Sequence, residues 1–498
     1  MTSNLNLSKS RYTKGVQCPK MLWMDLHMRD WFDESVMNEA ILATGNEVGD
    51  LAMGYYGDYV EVEYDAGNYD GMVARTRELL DAGTPVICEA TFAFGGNLCM
   101  VDILRVESDG VRIVEVKSSA HAKDIHYHDM AYQTWVVRQC GLAVKSVSLM
   151  HLNNKYKREG ELDLQRLFTV VDCTAEVTGM LAEVPHVIDF LRATAGADDE
   201  PCIGIGPHCK RPYECGYRGW CWRNVPKPSV FDLNRVYMRD ALDLMERGVV
   251  TLPEALEAAL AMSPRQRVQA ECEARDVAEM VDREKIAGFL DTLSFPLYFL
   301  DFETWLPAIP PFDGAWPYEQ ITTQYSLHVM RGPNAPLEHY EFLASEGSDP
   351  RRSVAERLVA DIPTGVCTLA YYMSFEKGRI RELAELFPDL AAHLTDIADN
   401  MRDLLVPFKE GWYYSRAMGG SNSIKAVLPA LFPNDPELDY HALEGVHNGG
   451  EAMSAFAALA DMDAEERAVT REQLLRYCEL DTYAMVKIWQ KLREAVDR

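Results

Sequence analysis

A chain of 498 residues, 48% hydrophobic and 25% charged, has the composition of a soluble globular protein and the length for about two or three domains. A formal charge of −28 excludes broad electrostatic adhesion to nucleic acid, though not a local basic groove. No apolar run is long enough to span a bilayer, and "MTSNLNLSKSRYTK" lacks a signal-peptide core, so a cytoplasmic protein with no membrane partner is expected.

Residues 1–225 mix helices and strands. "RYTKGVQCPKMLW" places Cys18 before a proline, and "ATGNEVGDLAMGYY" offers Glu47 and Asp50. "TPVICEATFAFGGNLCMVDILRVESDGVRIVEVKSS" reads as three strands. The first carries Glu89, the second ends its apolar run near Asp102, and the third alternates so that Glu115 and Lys117 share a face. A wet strand face is the plain reading of such a pattern; a metal site with a lysine to polarise water or phosphate is the other. "DIHYHDMAYQTWVVRQCG" is a predicted helix carrying Gln133, with His126 and His128 expected at its surface. In a reducing compartment the twelve cysteines are not expected to form disulfides. Seven are scattered singly; "PCIGIGPHCKRPYECGYRGWCW" instead packs Cys202, Cys209, Cys215 and Cys221 together. Lys210, Arg211, Arg218, Arg223 and Lys227 make this segment locally basic against Glu214, a candidate strand-binding patch.

Residues 226–294 read as a helical connector, with a capping box in "TLPE" and a helix start at "SPRQR". Residues 295–498 begin with a strand and end with a helix. The apolar strand Leu297 to Leu300 delivers Asp301 and Glu303, which point the same way because strand side chains alternate. Oxygen ligands of this kind suit Mg²⁺ or Mn²⁺. Glu376 in "YMSFE" and Asp403 in "MRDLLVPF" are further acids. Ser423 and Lys425, in "GGSNSIKAVLPALFP", mark either a phosphate contact or a solvated helix start. The last helix is expected to open at "TREQ"; on it Tyr477 and Asp481 are four apart and share a face. Hydrolysis of a phosphodiester needs an activated water and a stabilised leaving oxygen, and two metals about 4 Å apart supply both.

D-x-E on the first strand with Y-x-x-x-D on the last helix resembles the DnaQ-like (DEDD) 3′–5′ exonucleases of the RNase H-like superfamily, over residues 295–498. The resemblance implies that Asp301, Glu303, Glu376 and Asp481 hold two metals while Tyr477 orients water. The middle motif departs from N-x-x-F-D, with Tyr372 and Glu376 at the Asn and Asp positions. Asp102, Glu115 and Lys117 in D-x12-E-x-K, with the helix beyond, resemble the PD-(D/E)XK nucleases. Gln133 points to their RecB-like branch, which implies Glu89, Asp102 and Glu115 at a metal. Val137 replaces the tyrosine common after the glutamine, and "ATGNEVGDLAMGYY" holds no histidine for the branch's early ligand, leaving Glu47 or Asp50 to serve. Cys18 with Cys209, Cys215 and Cys221 resembles the iron–sulfur staple of AddB-type and CRISPR-associated RecB-like nucleases, with Cys202 spare. The resemblance implies a [4Fe–4S] cluster; zinc is the rival and free thiols the third reading. The expected fold is mixed α/β: a restriction-endonuclease-like PD-(D/E)XK domain at 1–225, the helical connector at 226–294 and an RNase H-like domain at 295–498. The arrangement resembles a widespread bacterial family of undefined role. A metal-dependent nuclease acting on DNA, single-stranded or at 3′ ends, is expected, in repair or phage defence. The alternatives are one active centre with the N-terminal half as a DNA-binding module, or an RNA substrate.

Overall fold

The computed structural model describes residues 6–37 and 39–497, and the chain is mixed α/β. Its contacts divide it into two units. Residues 1–224 with 307–318 form unit 1; residues 225–306 with 319–498 form unit 2. No helix among the described residues is long and apolar enough to cross a membrane.

Unit 1 is built on one sheet. Its strands are β1 (Leu7–Ser8), β2 (Val60–Glu61), β3 (Val86–Phe94), β4 (Asn97–Glu107), β5 (Gly110–Lys117), β6 (Val144–Leu152) and β7 (Phe168–Asp172). The order is β2-β3-β4-β5-β6-β7, with β1 laid parallel against β4. Gly95 and Gly96, at φ 55° and 74°, supply the left-handed two-residue turn between β3 and β4. The parallel β5–β6 pair needs a crossover, and helix Asp124–Gln139 provides it. Val111 and Ile113 pack toward that helix, while Val114 and Val116 pack on the opposite face with Val48 and Ala52 of helix Glu39–Met53. Alternation therefore carries Glu115 and Lys117 to the face of helix Asp124–Gln139. In β3 the alternation flips at Glu89, which sits at φ 55°: Ile87, Ala90 and Phe92 share one core and Cys88 belongs to the other. Residues 307–318 join this unit because Arg158 donates to the carbonyls of Pro310 and Pro311 (3.1 and 2.9 Å) and the Tyr318 hydroxyl donates to that of Ser118 (2.7 Å). The sequence carries no signal for that insertion, which interrupts the expected 295–498 domain.

Unit 2 contains β8 (Glu279–Val281), β9 (Leu297–Trp305), β10 (Ile321–Met330), β11 (Leu337–Leu343), β12 (Cys367–Ala370), β13 (Met401–Asp403) and β14 (Tyr413–Ser415). The main sheet runs β11-β10-β9-β12-β13, antiparallel on the β10 side of β9 and parallel on the β12 side. Tyr298, Leu300 and Phe302 pack with helices Arg351–Asp361, Ser374–Leu386 and Ala391–Asp399. Leu297 and Phe299 pack on the other face, with helices Ile424–Leu431, Gly449–Ala458 and the long last helix Ala464–Asp497. Asp301 and Glu303 continue the second series, so both face the last helix. They lie inside β9 rather than at its end, correcting the expectation of a strand that stops at Leu300. The last helix also begins earlier than "TREQ": the Asp463 carboxylate accepts the N–H groups of Glu465 (2.9 Å) and Glu466 (3.0 Å). In the connector, Thr251 with Glu254 and Ser263 with Gln266 form capping boxes. β8 pairs with β14, so the connector packs as part of unit 2.

Candidate metal centres

Asp301, Glu303 and Asp481 bring carboxylate oxygens within 4.8 Å of one another. β9 and the last helix fix this triad. A register shift in β10 between Thr322 and Gln324 lies opposite Glu303, and bulges of this kind re-aim side chains. Glu376, in the first turn of helix Ser374–Leu386, is 3% exposed, and its Oε2 has no hydrogen-bond partner among the described residues. No ion pair among the described residues involves these four acids. Burial first, then neighbouring acids, raises Glu303 and Glu376 to about 8 and Asp301 well above the carboxylate range; burial alone raises Asp481 to about 6, against the Tyr440 hydroxyl, Lys425 and the Tyr477 hydroxyl, which lower it. Three carboxylates within 4.8 Å of one another are a donor set for a hard divalent cation, and buried Glu376, outside that close group but near enough to act on Asp301 and Glu303 by charge, has a free oxygen to add, so the residues fit the expected Mg²⁺ or Mn²⁺.

Three side chains surround this set. Lys425 donates to the Tyr477 hydroxyl (3.1 Å) and to the His447 carbonyl (3.2 Å), and its charge acts on Asp301, Glu303 and Asp481. Tyr440, absent from the sequence reading, donates to Asp481 Oδ1 at 2.5 Å. Burial and then Asp481 raise the Tyr477 hydroxyl far above its usual value, so it keeps its proton. Asp403 is committed to the backbone, accepting the N–H groups of Tyr372 (2.9 Å) and Leu405 (3.0 Å) through Oδ1. Ser423 is exposed and meets Ser421.

The centre of unit 1 is built differently. Asp102, Glu115, Lys117 and Gln133 do converge, but around a residue the sequence did not flag. Lys9 Nζ lies 3.3 Å from Asp102 Oδ1 and 2.9 Å from Glu115 Oε1. β1 and the Tyr132 hydroxyl, which donates to the Leu7 carbonyl at 2.5 Å, pin the start of helix Lys9–Gln17 so that the ammonium reaches the acids. Lys117 pairs with Glu115 and with Asp129 (3.0 Å); Gln133 Nε2 donates to Glu115 Oε2 (2.6 Å) and Asp129 Oδ1 (3.0 Å). Asp129 was also missed, although it sits four residues before Gln133 on one helix face. Burial would raise Glu115, but Lys117, Lys9 and the Gln133 amide hold it well below the carboxylate range. Burial and Asp102 raise Glu89 to about 7. Asp50 lines the same cavity as Glu89, Asp102 and Lys117, and Glu47 is exposed outside that lining. His126 is buried, not at the surface: its Nδ1 accepts the Lys123 N–H at 3.2 Å at the start of its helix. His128 is half-buried.

Unit 1 thus supplies two ammonium groups at its acids, whereas Asp301, Glu303 and Asp481 lie close together with no ion pair among the described residues. Replacing Lys9 by Met should raise Mn²⁺ affinity at this centre by about tenfold or more, since a buried ammonium competes for the same oxygens. Titration followed by Mn²⁺ EPR, in protein whose unit 2 acids carry Asp301→Asn and Glu303→Gln, reads this out. An unchanged isotherm would show that Lys9 does not compete.

Cys18, Cys209, Cys215 and Cys221 line one cavity with Lys20, Met21 and His208. The sulfurs of Cys18 and Cys215 accept backbone N–H groups, as does Cys209 from Gly206 at 3.5 Å. His208 Nε2 is buried there without a partner among the described residues. Burial raises Cys215 to about 11, with the other three thiols adding to it. Convergent thiols with N–H donors aimed at sulfur fit a bound metal or iron–sulfur group. Cys202 is exposed and lies off this cavity. Of the basic patch, Lys210 and Arg211 are exposed, while Arg218 pairs with Glu214 and lies over the Trp222 ring.

Residues 298–423, which include Asp301, Glu303 and Glu376, match a family model described as a domain of unknown function (DUF2779). Over 208 residues the chain is 27% identical to an uncharacterized protein MG366 homolog of Mycoplasma pneumoniae, covering 38% of this chain and 31% of that one. Over 232 residues it is 26% identical to an uncharacterized protein UU173 of Ureaplasma parvum, covering 42% and 33%. The chain spans about a third of the length of these curated relatives.

Proposed function

We propose that unit 2 is a metal-dependent phosphodiester hydrolase that trims nucleic acid, single-stranded DNA above all, from its 3′ end. The observation that carries this reading is the Asp301–Glu303–Asp481 triad with buried Glu376, four acids with no ion pair among the described residues. The sheet supports it: β9, the central strand, has antiparallel neighbours on one side and parallel ones on the other, the order an RNase H-like domain requires. Asp301, Glu303, Glu376 and Asp481 would hold divalent metal, which would supply an activated water and charge stabilisation at the leaving oxygen. Tyr477, kept protonated and steadied by Lys425, orients the attacking water. Lys425 places one ammonium where a phosphate approaches, and Tyr440 fixes the rotamer of Asp481.

For unit 1, the two lysines among its acids favour the reading in which this half engages the strand without cutting it. Asp301→Asn and Glu115→Gln, compared on end-labelled DNA and RNA strands with Mn²⁺, test the division. Loss of trimming in the first variant alone assigns the chemistry to unit 2. Loss of a second, separable cleavage in Glu115→Gln would make unit 1 a nuclease as well.

At the four thiols we propose a [4Fe–4S] cluster held by Cys18, Cys209, Cys215 and Cys221, closing the two ends of unit 1. Four convergent thiols with N–H donors aimed at sulfur support a bound metal group there, and zinc held by the same four is the rival. Anaerobically purified protein should contain about four iron and four sulfide per chain, with a visible charge-transfer band. Zinc with no iron would overturn the assignment.

A further inference from the structure

A second constellation in unit 2 lies outside the acids of the proposed hydrolase. His328 on β10 and His339 on β11 are register partners whose rings stack with centroids 4.5 Å apart. Glu479 of the last helix faces them, and one ligand atom from each of the three lies within 4.8 Å of the others. From these positions we propose a binding site for a zinc-class divalent cation, held by the two imidazoles and the Glu479 carboxylate.

The proton inventory supports the assignment. Thr482 Oγ1 donates to the Glu479 carbonyl at 3.1 Å, so it accepts from its other neighbours. His328 Nδ1 is 2.8 Å from Thr482 Oγ1, and Ser326 Oγ is 2.7 Å from it. His339 Nε2 is 2.9 Å from Ser326 Oγ. One consistent chain follows: His339 Nε2–H to Ser326, Ser326 O–H to Thr482, His328 Nδ1–H to Thr482, and Thr482 O–H to the helix carbonyl. Each ring spends one nitrogen on this chain, which leaves Nδ1 of His339 and Nε2 of His328 to bind a cation. His339 Nδ1 stands 3.8 Å from Glu479 Oε1, too long for a hydrogen bond. Arg476 occupies the other oxygen, Oε2, at 3.0 Å. Between the two rings and Glu479 there is room for a cation that ligates the free ring nitrogens and Glu479 Oε1.

The second hydrogen bond on each imidazole is the arrangement that fixes the tautomer of a metal-bound histidine. Two nitrogens and one carboxylate match zinc better than magnesium, which takes oxygen. Bonds of about 2.0–2.1 Å set ligand atoms about 3.4 Å apart, so His339 Nδ1 and Glu479 Oε1, 3.8 Å apart, need little movement, while the stacked rings must splay to aim both nitrogens at one ion. His328, Glu479 and Tyr483 also line a surface cleft with Pro436, Asp439 and Leu443, which leaves a side open for a fourth ligand. An ion here would fasten edge strand β11 to the helix that carries Tyr477 and Asp481. The site does not depend on the proposed hydrolysis.

Zinc binding to the full chain tests it. The parent for comparison carries Asp301→Asn and Glu303→Gln, which silences the acid centre, and Zn²⁺ content is measured after equilibrium dialysis. His339→Gln and Glu479→Gln are then added separately. Both positions are partly exposed, with side-chain exposures of 24% and 33%, so neither change opens the core. The expected result is one zinc equivalent fewer in each variant than in the parent, with circular dichroism unchanged. Equal zinc in the parent and both folded variants would overturn the site.

Discussion

Asp301→Asn is expected to lower Mn²⁺-dependent strand hydrolysis by on the order of 10³-fold, about 4 kcal/mol of transition-state stabilisation. The same substitution is expected to stabilise the metal-free chain by on the order of 1–2 kcal/mol. The two effects have one cause. Asp301 is held by β9 beside Asp481 and Glu303, and its raised pKa reflects burial first and then the charges of Asp481, Glu376 and Glu303. A cation turns that crowding into a ligand set; without one it is repulsion. An amide is isosteric, carries no charge and is a poor ligand for a hard cation. Steady-state trimming rates and metal-free denaturation of unit 2 check the two halves. A variant that lost activity and also lost stability would place Asp301 in a structural role instead.

The second large effect is a linkage between pH and metal. Folded metal-free Glu303 and Glu376 titrate at about 8, raised by burial and then by neighbouring acids, and Asp481 at about 6, raised by burial. Unfolded carboxyls release their protons near about 4. The folded chain therefore holds protons that the unfolded chain has released. The stability this contributes is fully present below about 4 and is lost as pH rises through about 6 to 8. The loss should be on the order of 2–4 kcal/mol across the cluster. Mn²⁺ replaces the protons and should restore it at the upper end. Hydrogen exchange of the β9 and last-helix amides, with Mn²⁺ or with EDTA, reads this directly. The ratio of protection between the two conditions should widen from pH 6 to pH 8. A ratio that stayed flat would mean the acids are not linked to a cation.

Much of unit 2 was legible because strand alternation and helix spacing are local rules. Period two puts Asp301 and Glu303 on one face, and four residues on a helix put Tyr477 beside Asp481. Tyr440 was not legible, since it reaches Asp481 from a short turn 41 residues away. Lys425 could be singled out, but not its contact with Tyr477 across 52 residues. In unit 1 the E-x-K strand was readable by the same alternation. The position of Lys9 was not, because it depends on Tyr132 gripping the Leu7 carbonyl across 125 residues. The left-handed backbone at Glu89 is similarly invisible, as nothing about glutamate announces φ 55°. His328 and His339 meet only through hairpin register, which the two strands separately do not declare.

One measurement bears most directly on unit 2 as a metal-dependent exonuclease. The full chain is incubated with single-stranded DNA labelled at the 5′ end, in parallel with strand labelled at the 3′ end, with Mn²⁺ and with EDTA. The expected result is a ladder shortening by single nucleotides from the 5′-labelled strand and immediate release of labelled mononucleotide from the 3′-labelled one, both only with Mn²⁺. No Mn²⁺-dependent cleavage of DNA, with an RNA strand of the same sequence equally untouched, would contradict it.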